Sequence, residues 1–384
     1  MTFVVLMGVV SLLADFTYEG ARSITGPYLA LLGASGAVVG FVAGVGEFIG
    51  YGLRLLSGYI TDRTGWYWAM TLGGYALNLL AVPLLAWAGS WEVAAVLIVV
   101  ERLGKAVRTP ARDAMLSHAT SRLGHGWGFG LHEALDQTGA VLGPLLMATV
   151  LAFRESYRMG FAVLLIPALL ALVVLVGARW QFPTPRVFEL ETKGKEEGRR
   201  FSRIFWLYLA AVAFVALGFA DFPLIAYHFK KTEIAPDTWI PIFYAVAMGV
   251  DAVAALIFGR LFDRIGLPVL IGALVPAAAF APLVFLGSFE VALVGIALWG
   301  IGMGAQESIM RAVIPTLVPA HRRGTAFGFF HAGYGLFWFV GSATMGVLYD
   351  VSVTALIVFS VVAQLVAIPM LLILRSAWRD RQTS

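Results

Sequence analysis

The chain has 384 residues, of which 60% are hydrophobic and 13% are charged, and its formal net charge is +4. Its mean hydropathy is +0.84, and stretches of about 20 apolar residues, the length of a transmembrane helix, fill most of the sequence. These values exclude a soluble domain and predict a polytopic α-helical membrane protein. The absence of cysteine excludes disulfides and thiolate metal sites.

Twelve apolar segments are predicted to span the membrane. They cover residues 3–31, 37–60, 67–88, 91–118, 126–152, 157–179, 204–229, 239–262, 267–287, 290–317, 324–349 and 352–375. The first segment lacks a basic flank and a small-residue cleavage site, so we expect a span there, not a signal peptide. The polar stretch 181–202 predicts a linker between two six-helix bundles, residues 1–180 and 203–384.

The distribution of basic residues predicts the orientation in the membrane. One set of loops and tails, together with the linker, contains Arg63, Arg122, Arg260, Arg264, Arg322, Arg323, Arg375, Arg379 and Arg381. The opposite set contains Arg154, Arg158, Lys230 and Lys231. Because cytoplasmic loops carry an excess of Lys and Arg, we expect both termini and the linker to be cytoplasmic. The expected location is a bacterial-type inner membrane.

The two predicted bundles share three sequence matches in the same order. The matches are Ala14-Asp15-Phe16 with Ala220-Asp221-Phe222, the segment 58–65 with 259–266, and 128–143 with 326–341. A duplicated six-helix unit places a substrate between its copies near the membrane midplane. The repeats therefore predict two pseudo-symmetric bundles that enclose a binding site.

Two motifs in this pattern resemble those of the major facilitator superfamily. Its loop signature between spans two and three is similar to Gly58, Asp62, Arg63 and Gly65, with a second copy at Asp263 and Arg264. The resemblance implies an all-α fold of twelve transmembrane helices, a conformational latch at these residues, and transport by alternating access.

A second motif lies in the fifth span. Gly139, Gly143 and Pro144 are similar to the Gly-x-x-x-Gly-Pro pattern of antiporters in this superfamily. Glycines one turn apart permit close helix packing, and proline removes a backbone hydrogen bond. The resemblance implies export of a solute by exchange.

The fourth span carries four charges on one helical face. Glu101, Lys105, Arg108 and Arg112 recur at i, i+4, i+7 and i+11. A charge at the bilayer centre costs about 2.5–3.5 kcal/mol on insertion scales, so this face must contact protein or water. We expect it to line a cavity; the alternative is a structural network in which Glu101 pairs with Lys105.

Further charges fall on spans one and five, and the resemblance places spans one, four, seven and ten around the central cavity. Predicted substrate-binding residues are Arg108, Arg112, Lys105, Glu101 and Arg22, since guanidinium and ammonium groups suit an anionic ligand. Predicted proton carriers are Asp15, Glu19, Glu133 and Asp136, because neutralising a buried carboxylate would release a basic partner for the substrate. The alternative is that Asp15 and Glu19 only balance Arg108 and Arg112.

These features predict a secondary active transporter, coupled to protons, that exports a small organic solute with an anionic or zwitterionic group. The alternatives are a proton- or cation-coupled importer of an organic anion, a lipophilic-drug exporter, and a lipid-handling protein or membrane enzyme. The sequence contains no phosphate-binding loop, nucleophile motif or metal cluster. We therefore expect no enzyme activity, cofactor, metal or nucleic-acid partner, and a monomer whose partners are the solute, protons and the lipid bilayer.

Overall fold

The computed structural model describes residues 2–120, 125–183, 201–318 and 323–383. Over the first six predicted spans it contains α1 (Thr2–Leu31), α2 (Gly36–Thr64), α3 (Tyr67–Leu84) with a 3₁₀ turn (Leu85–Trp87), α4 (Trp91–Thr120), α5 (His125–Arg154), α6 (Tyr157–Val163) and α7 (Leu165–Gln181). Over the last six it contains α8 (Arg203–Gly218), α9 (Phe222–Thr232), α10 (Trp239–Ile265), α11 (Pro268–Ala278), α12 (Phe280–Leu286), α13 (Phe289–Ala305), a π-helix (Gln306–Met310), α14 (Arg311–Leu317), α15 (Arg323–Val351) and α16 (Val353–Thr383).

Helices occupy all twelve predicted spans, and the described residues contain no β-strand. Ten helical segments among these residues are long and apolar enough to cross a membrane. Of the remaining two predicted spans, α4 carries the charges of the fourth segment and α15 covers the eleventh. The prediction of an all-α polytopic membrane protein is confirmed.

Backbone contacts divide the chain into two compact units. The first unit contains Met1–Ser35, Val45–Glu189 and Phe222–Ala245. The second contains Gly36–Gly44, Leu190–Asp221 and Val246–Ser384. This division follows the predicted bundles except that the segments 36–44 and 222–245 are exchanged, and most of the predicted linker lies outside the described residues.

In the first unit, the glycine motif of α5 is the surface that packs on α1. A Cβ atom on Gly139 would overlap the carbonyl oxygen of Leu12, and one on Gly143 would overlap that of Phe16. Since only glycine permits so close a backbone approach, the motif fixes α1 against α5. It therefore sets the position of the carboxylates that α1 carries.

In the second unit, the predicted seventh span is interrupted at residues 219–221. Ser360 Oγ donates a hydrogen bond to the Gly218 carbonyl over 2.6 Å, and Gln364 Nε2 donates to the same oxygen over 3.2 Å. Trp299 Nε1 donates to the Ala220 carbonyl over 2.8 Å. Backbone groups at membrane depth need protein partners where a helix is broken, and these three side chains supply them.

Matching glycines end α2 and α10. Gly65 and Gly266 both have φ of +69°, and their amides donate to the carbonyls of Thr61 and Phe262 over 2.9 and 2.8 Å. This left-handed cap is one that glycine adopts without strain. The equal geometry is what a duplicated helix–turn unit would give.

The predicted latch residues lie at these two helix ends. The Arg63 guanidinium lies over the Tyr59 ring at 5.3 Å, while the side chain of Asp62 lies outside the described residues. Asp263 and Arg264 are exposed, and neither forms an ion pair with any side chain that the structure describes. A latch role for these residues stays a prediction.

Candidate functional site

A buried ion network joins α1, α2 and α4 within the first unit. Glu47 Oε1 accepts from Arg22 Nη2 at 3.0 Å and lies 3.3 Å from Arg102 Nη1. Arg102 Nε lies 3.2 Å from Glu101 Oε2. All four side chains are almost fully removed from solvent. Each charge therefore has an opposite partner, as a charge at membrane depth requires.

Asn78 of α3 completes this network. Its Nδ2 donates to Glu101 Oε1 over 2.6 Å and to the Glu101 carbonyl over 3.1 Å. Gly104 permits α4 to approach α3 closely at Asn78, because a Cβ atom at residue 104 would overlap the backbone nitrogen of Asn78. Glu101 is thus held by Asn78 and Arg102, and the alternative pairing of Glu101 with Lys105 does not occur. Two predicted substrate residues, Arg22 and Glu101, are members of the network.

The next two cations of α4 contact aromatic rings instead of carboxylates. Lys105 Nζ lies 4.0 Å from the centre of the Tyr18 ring. Arg108 Cζ lies 4.2 Å from the Tyr75 ring and 5.8 Å from the Tyr18 ring. Cation–π contacts of this kind attract a cation to the face of an aromatic ring. We call Lys105 and Arg108 the cation pair.

Arg108 is 1% exposed, yet its Nε and Nη1 have no hydrogen-bond acceptor among the described residues. Within the same part of the chain, neither member of the cation pair forms an ion pair. An unsatisfied buried guanidinium carries a large free-energy cost. The structure thus leaves donors at the cation pair that an anionic ligand could satisfy.

Two carboxylates lie close enough to act on the cation pair. Asp15 interacts electrostatically with Asp136, Lys105 and Arg108, and its Oδ1 has no hydrogen-bond partner in the described part of the chain. Asp136 interacts with Arg112 first, then with Arg108, Ser11 and Lys105. Asp15 is buried. Asp15 and Asp136, two of the four predicted proton carriers, therefore share one environment with the predicted substrate residues Lys105 and Arg108.

Glu19, one turn beyond Asp15 on α1, has a different partner. The Tyr244 hydroxyl of α10 donates a hydrogen bond to Glu19 Oε2. Both side chains are buried, and the Tyr244 ring packs on Phe222 with 4.3 Å between centroids. Tyr244 belongs to the same compact unit as Glu19, so this bond fixes the first turns of α10 to α1.

The remaining predicted residues are placed as follows. Arg112 is bound by its neighbour Asp113, with Nε and Nη2 at 2.9 and 2.8 Å from Oδ1, and its Nη1 donates to Ser11 Oγ over 3.3 Å. Arg112 therefore has its own counter-charge, unlike Arg108. The side chain of Glu133 lies outside the described residues.

Sequence reasoning left Tyr18, Tyr75, Asn78, Glu47 and Tyr244 out of the site. Tyr18 follows Asp15 by three positions and so shares its helical face, and Asn78 is a polar residue in an apolar span. Those two signals were available in the sequence. Nothing in the sequence indicates the partner of Tyr244, since tyrosine is common in membrane helices.

The second unit is built differently at the corresponding depth. Its buried charged side chains, among those described, are the carboxylates Asp221 and Asp251. Gln306, the first residue of the π-helix, accepts a hydrogen bond from the Tyr334 hydroxyl over 2.9 Å. The described residues contain no group of three His, Cys, Asp or Glu that could hold a metal ion. The arrangement of cations and carboxylates in the first unit is suited to binding a charged solute.

Known proteins resemble this chain along its whole length. An uncharacterized protein of Mycobacterium tuberculosis is 42% identical over 97% of this chain and 93% of its own length. A multidrug resistance protein, MdtH of Photorhabdus laumondii, is 24% identical over 83% of this chain and 79% of its own. The crystal structure of the nucleoside transporter NupG superposes with a TM-score of 0.74 at 11% identity, over 98% of this chain and 99% of NupG.

The family model of the Major Facilitator Superfamily matches residues 7–342 and 238–384. The likeness to NupG shows that the fold is that of a solved membrane transporter. Both matches agree with the helical architecture and with the duplicated sequence segments. The chain belongs to the Major Facilitator Superfamily and is a membrane transporter of that family.

Proposed function

We propose that this transporter exports a small organic solute with an anionic or zwitterionic group, in exchange for protons, and that the cation pair binds the anionic group. The observation that carries the proposal is the buried Arg108 guanidinium, whose Nε and Nη1 have no acceptor among the described residues. Guanidinium donors bind carboxylate or phosphate by short, charge-assisted hydrogen bonds. Lys105 adds a second charge beside the same Tyr18 ring.

The carboxylates Asp15 and Asp136 decide how a proton and a solute would be coupled. For a zwitterion, an ionised carboxylate attracts the ammonium group while the cation pair holds the anionic group. A proton on Asp15 or Asp136 then competes with the ammonium group, and competition at one site is the requirement for exchange. The exchange mechanism therefore favours a zwitterionic solute.

A purely anionic solute would bind more strongly, not more weakly, when the carboxylates take up a proton. Protonation of Asp15 or Asp136 removes a negative charge beside the cation pair, so it strengthens anion binding. The proton and the anion would then move together, which is the importer alternative. The two mechanisms are distinguished by whether acidification weakens or strengthens ligand binding.

Export is supported by the relatives named as multidrug resistance proteins and by the Gly139–Gly143 contact, which belongs to the antiporter-like motif. That contact holds α1, with Asp15 and Glu19, against α5, with Asp136. We propose that the hydrogen bond from Tyr244 to Glu19 holds the first turns of α10 on α1 beside the cation pair.

Proteoliposomes that contain the pH dye pyranine test this proposal. The lumen is made acidic, and glutamine, succinate or tetraphenylphosphonium is added outside as the zwitterionic, dianionic or lipophilic-cation probe. Exchange of a zwitterion predicts a rise in luminal pH. Arg108→Gln should abolish this rise. The control Arg260→Gln, which replaces an exposed cation at the end of α10, should preserve it. A fall in luminal pH with succinate would identify proton–anion co-transport. A response to tetraphenylphosphonium alone would replace the proposal by lipophilic-drug export.

A further inference from the structure

A shallow groove of about 340 Å³ lies in the first unit, where the 3₁₀ turn after α3 meets the turn between α5 and α6. Its lining includes Arg154, Arg158 and Trp87, together with the apolar side chains of Met159 and Ala162. The transport mechanism uses none of these residues. The groove lies at the span ends opposite to the predicted cytoplasmic linker.

Neither Arg154 nor Arg158 has an ion-pair partner in the described part of the chain, and the exposed Glu155 between them forms none either. Both arginines are exposed. By contrast Lys230, on the same side of the predicted topology, is bound by Asp237 at 2.6 Å. The groove thus collects two of the four basic residues that the topology places on this side.

The helix dipole favours a positive charge at one of these two arginine positions and disfavours it at the other. Arg154 ends α5, where a cation is favoured by the helix dipole. Arg158 lies in the first turn of α6, where the dipole of α6 disfavours a cation. A position that is locally unfavourable for Arg158 is consistent with a ligand that supplies a compensating negative charge.

The surroundings indicate the depth at which such a ligand lies. Trp87 is 70% exposed at the end of a membrane-spanning helix, and tryptophan in such a position marks the boundary between hydrocarbon and headgroups. Met159 and Ala162 continue the groove with apolar side chains. The ligand therefore has an anionic end at the arginines and an apolar end toward the membrane.

We propose that this groove binds an anionic phospholipid, with its headgroup phosphate held by Arg154 and Arg158 and its acyl chain on Met159 and Ala162. Two guanidinium forks suit a phosphate because each offers two parallel N–H donors. Basic pockets between membrane helices bind lipid headgroups by the same charge complementarity. This proposal does not depend on the identity of the transported solute.

Native mass spectrometry of the full-length protein in detergent tests the proposal, with phosphatidylglycerol and phosphatidylcholine of identical acyl chains as probes. We expect preferential retention of phosphatidylglycerol, reduced about tenfold in the double variant Arg154→Gln/Arg158→Gln. Arg158→Lys, which keeps the charge and loses the fork, is expected to give an intermediate value. Lys231→Gln removes one exposed cation on the same side, outside the groove, and should leave retention unchanged.

Three results would overturn the lipid assignment. Equal retention of the two lipids by the wild type would show that the groove does not select an anionic headgroup. Unchanged phosphatidylglycerol retention in the double variant, with its helical content preserved by circular dichroism, would show that the arginines are not the site. Equal protection by inorganic phosphate and by phosphatidylglycerol in a thermal-stability assay would assign the groove to a soluble anion.

Discussion

The first and second units treat buried polar groups in opposite ways. In the first unit, the described buried cations Arg102 and Arg108 lie on α4 among carboxylates from neighbouring helices. In the second unit, the described buried charges are carboxylates, and neutral donors such as Trp299 and Ser360 satisfy the backbone at the break between α8 and α9. The duplicated sequence therefore has diverged in its electrostatics while it kept its helical plan.

The two units share a helical plan but differ in their buried charges, so the recognition of a charged solute need not follow from the helical plan. Only the first unit, among the described residues, combines buried cations with buried carboxylates from neighbouring helices, so we propose that it selects the charge of the solute and couples transport to protons. The second unit uses neutral hydrogen bonds, which do not change with pH, at the break between α8 and α9 and at the contact of Tyr334 with Gln306. Variants in the two units should therefore differ in pH dependence even where they lose similar stability.

The largest effect is expected from Glu47→Gln. The substitution leaves Arg22 and Arg102 without their shared counter-charge at 3.0 and 3.3 Å, and removal of one partner from a buried ion pair costs about 3–5 kcal/mol. Thermal unfolding in detergent should show a large loss of stability. Glu290→Gln, the same substitution at an exposed carboxylate of the second unit, should show a much smaller loss, because its partner is the exposed Ser288 hydroxyl at 2.9 Å. Equal effects at the two sites would refute the ion network.

A smaller loss is expected from alanine at the matched glycines Gly143 and Gly341. A Cβ atom on Gly143 would overlap the Phe16 carbonyl, and one on Gly341 would overlap the Leu217 carbonyl, so overpacking should cost about 1–3 kcal/mol at each. Only Gly143→Ala displaces α1, and only it should also change proton-coupled transport. If both variants lose stability but neither alters coupling, α5 does not position the α1 carboxylates.

Tyr244→Phe should cost about 1–3 kcal/mol, because it removes the hydroxyl that donates to the buried Glu19 carboxyl group. Thermal unfolding of wild type and variant in detergent measures this cost. An unchanged unfolding temperature would contradict a stabilising bond between Tyr244 and Glu19.

The smallest effect is expected from Tyr334→Phe in the second unit. It removes the 2.9 Å hydrogen bond to Gln306, a neutral pair whose net contribution is about 1 kcal/mol. Its cost should be the same at acidic and alkaline pH. A pH-dependent cost would mean that a titratable group acts on this pair, and the contrast between the units would then fail.

The sequence predicts the helical plan and the charged face of α4 well, because both depend on local periodicity and on the cost of charge in a membrane. It does not predict which charge pairs with which. Glu101 binds Arg102 and Asn78, not Lys105, because the close α3–α4 contact at Gly104 brings Asn78 within reach. Gly218 and Pro223 are sequence signals for a helix break in the seventh span. The side chains that satisfy the break are not predictable, since they lie on distant helices.

The central claim is that the cation pair binds the solute, and ligand-dependent thermal stabilisation tests it most directly. Wild type, Arg108→Gln and the control Arg260→Gln would be unfolded with glutamine, succinate and tetraphenylphosphonium at mildly acidic and mildly alkaline pH, since a ligand of the folded state raises its stability. We predict that the zwitterion stabilises wild type and control more at alkaline pH, and that Arg108→Gln loses this effect. Equal stabilisation of Arg108→Gln and wild type would contradict the claim.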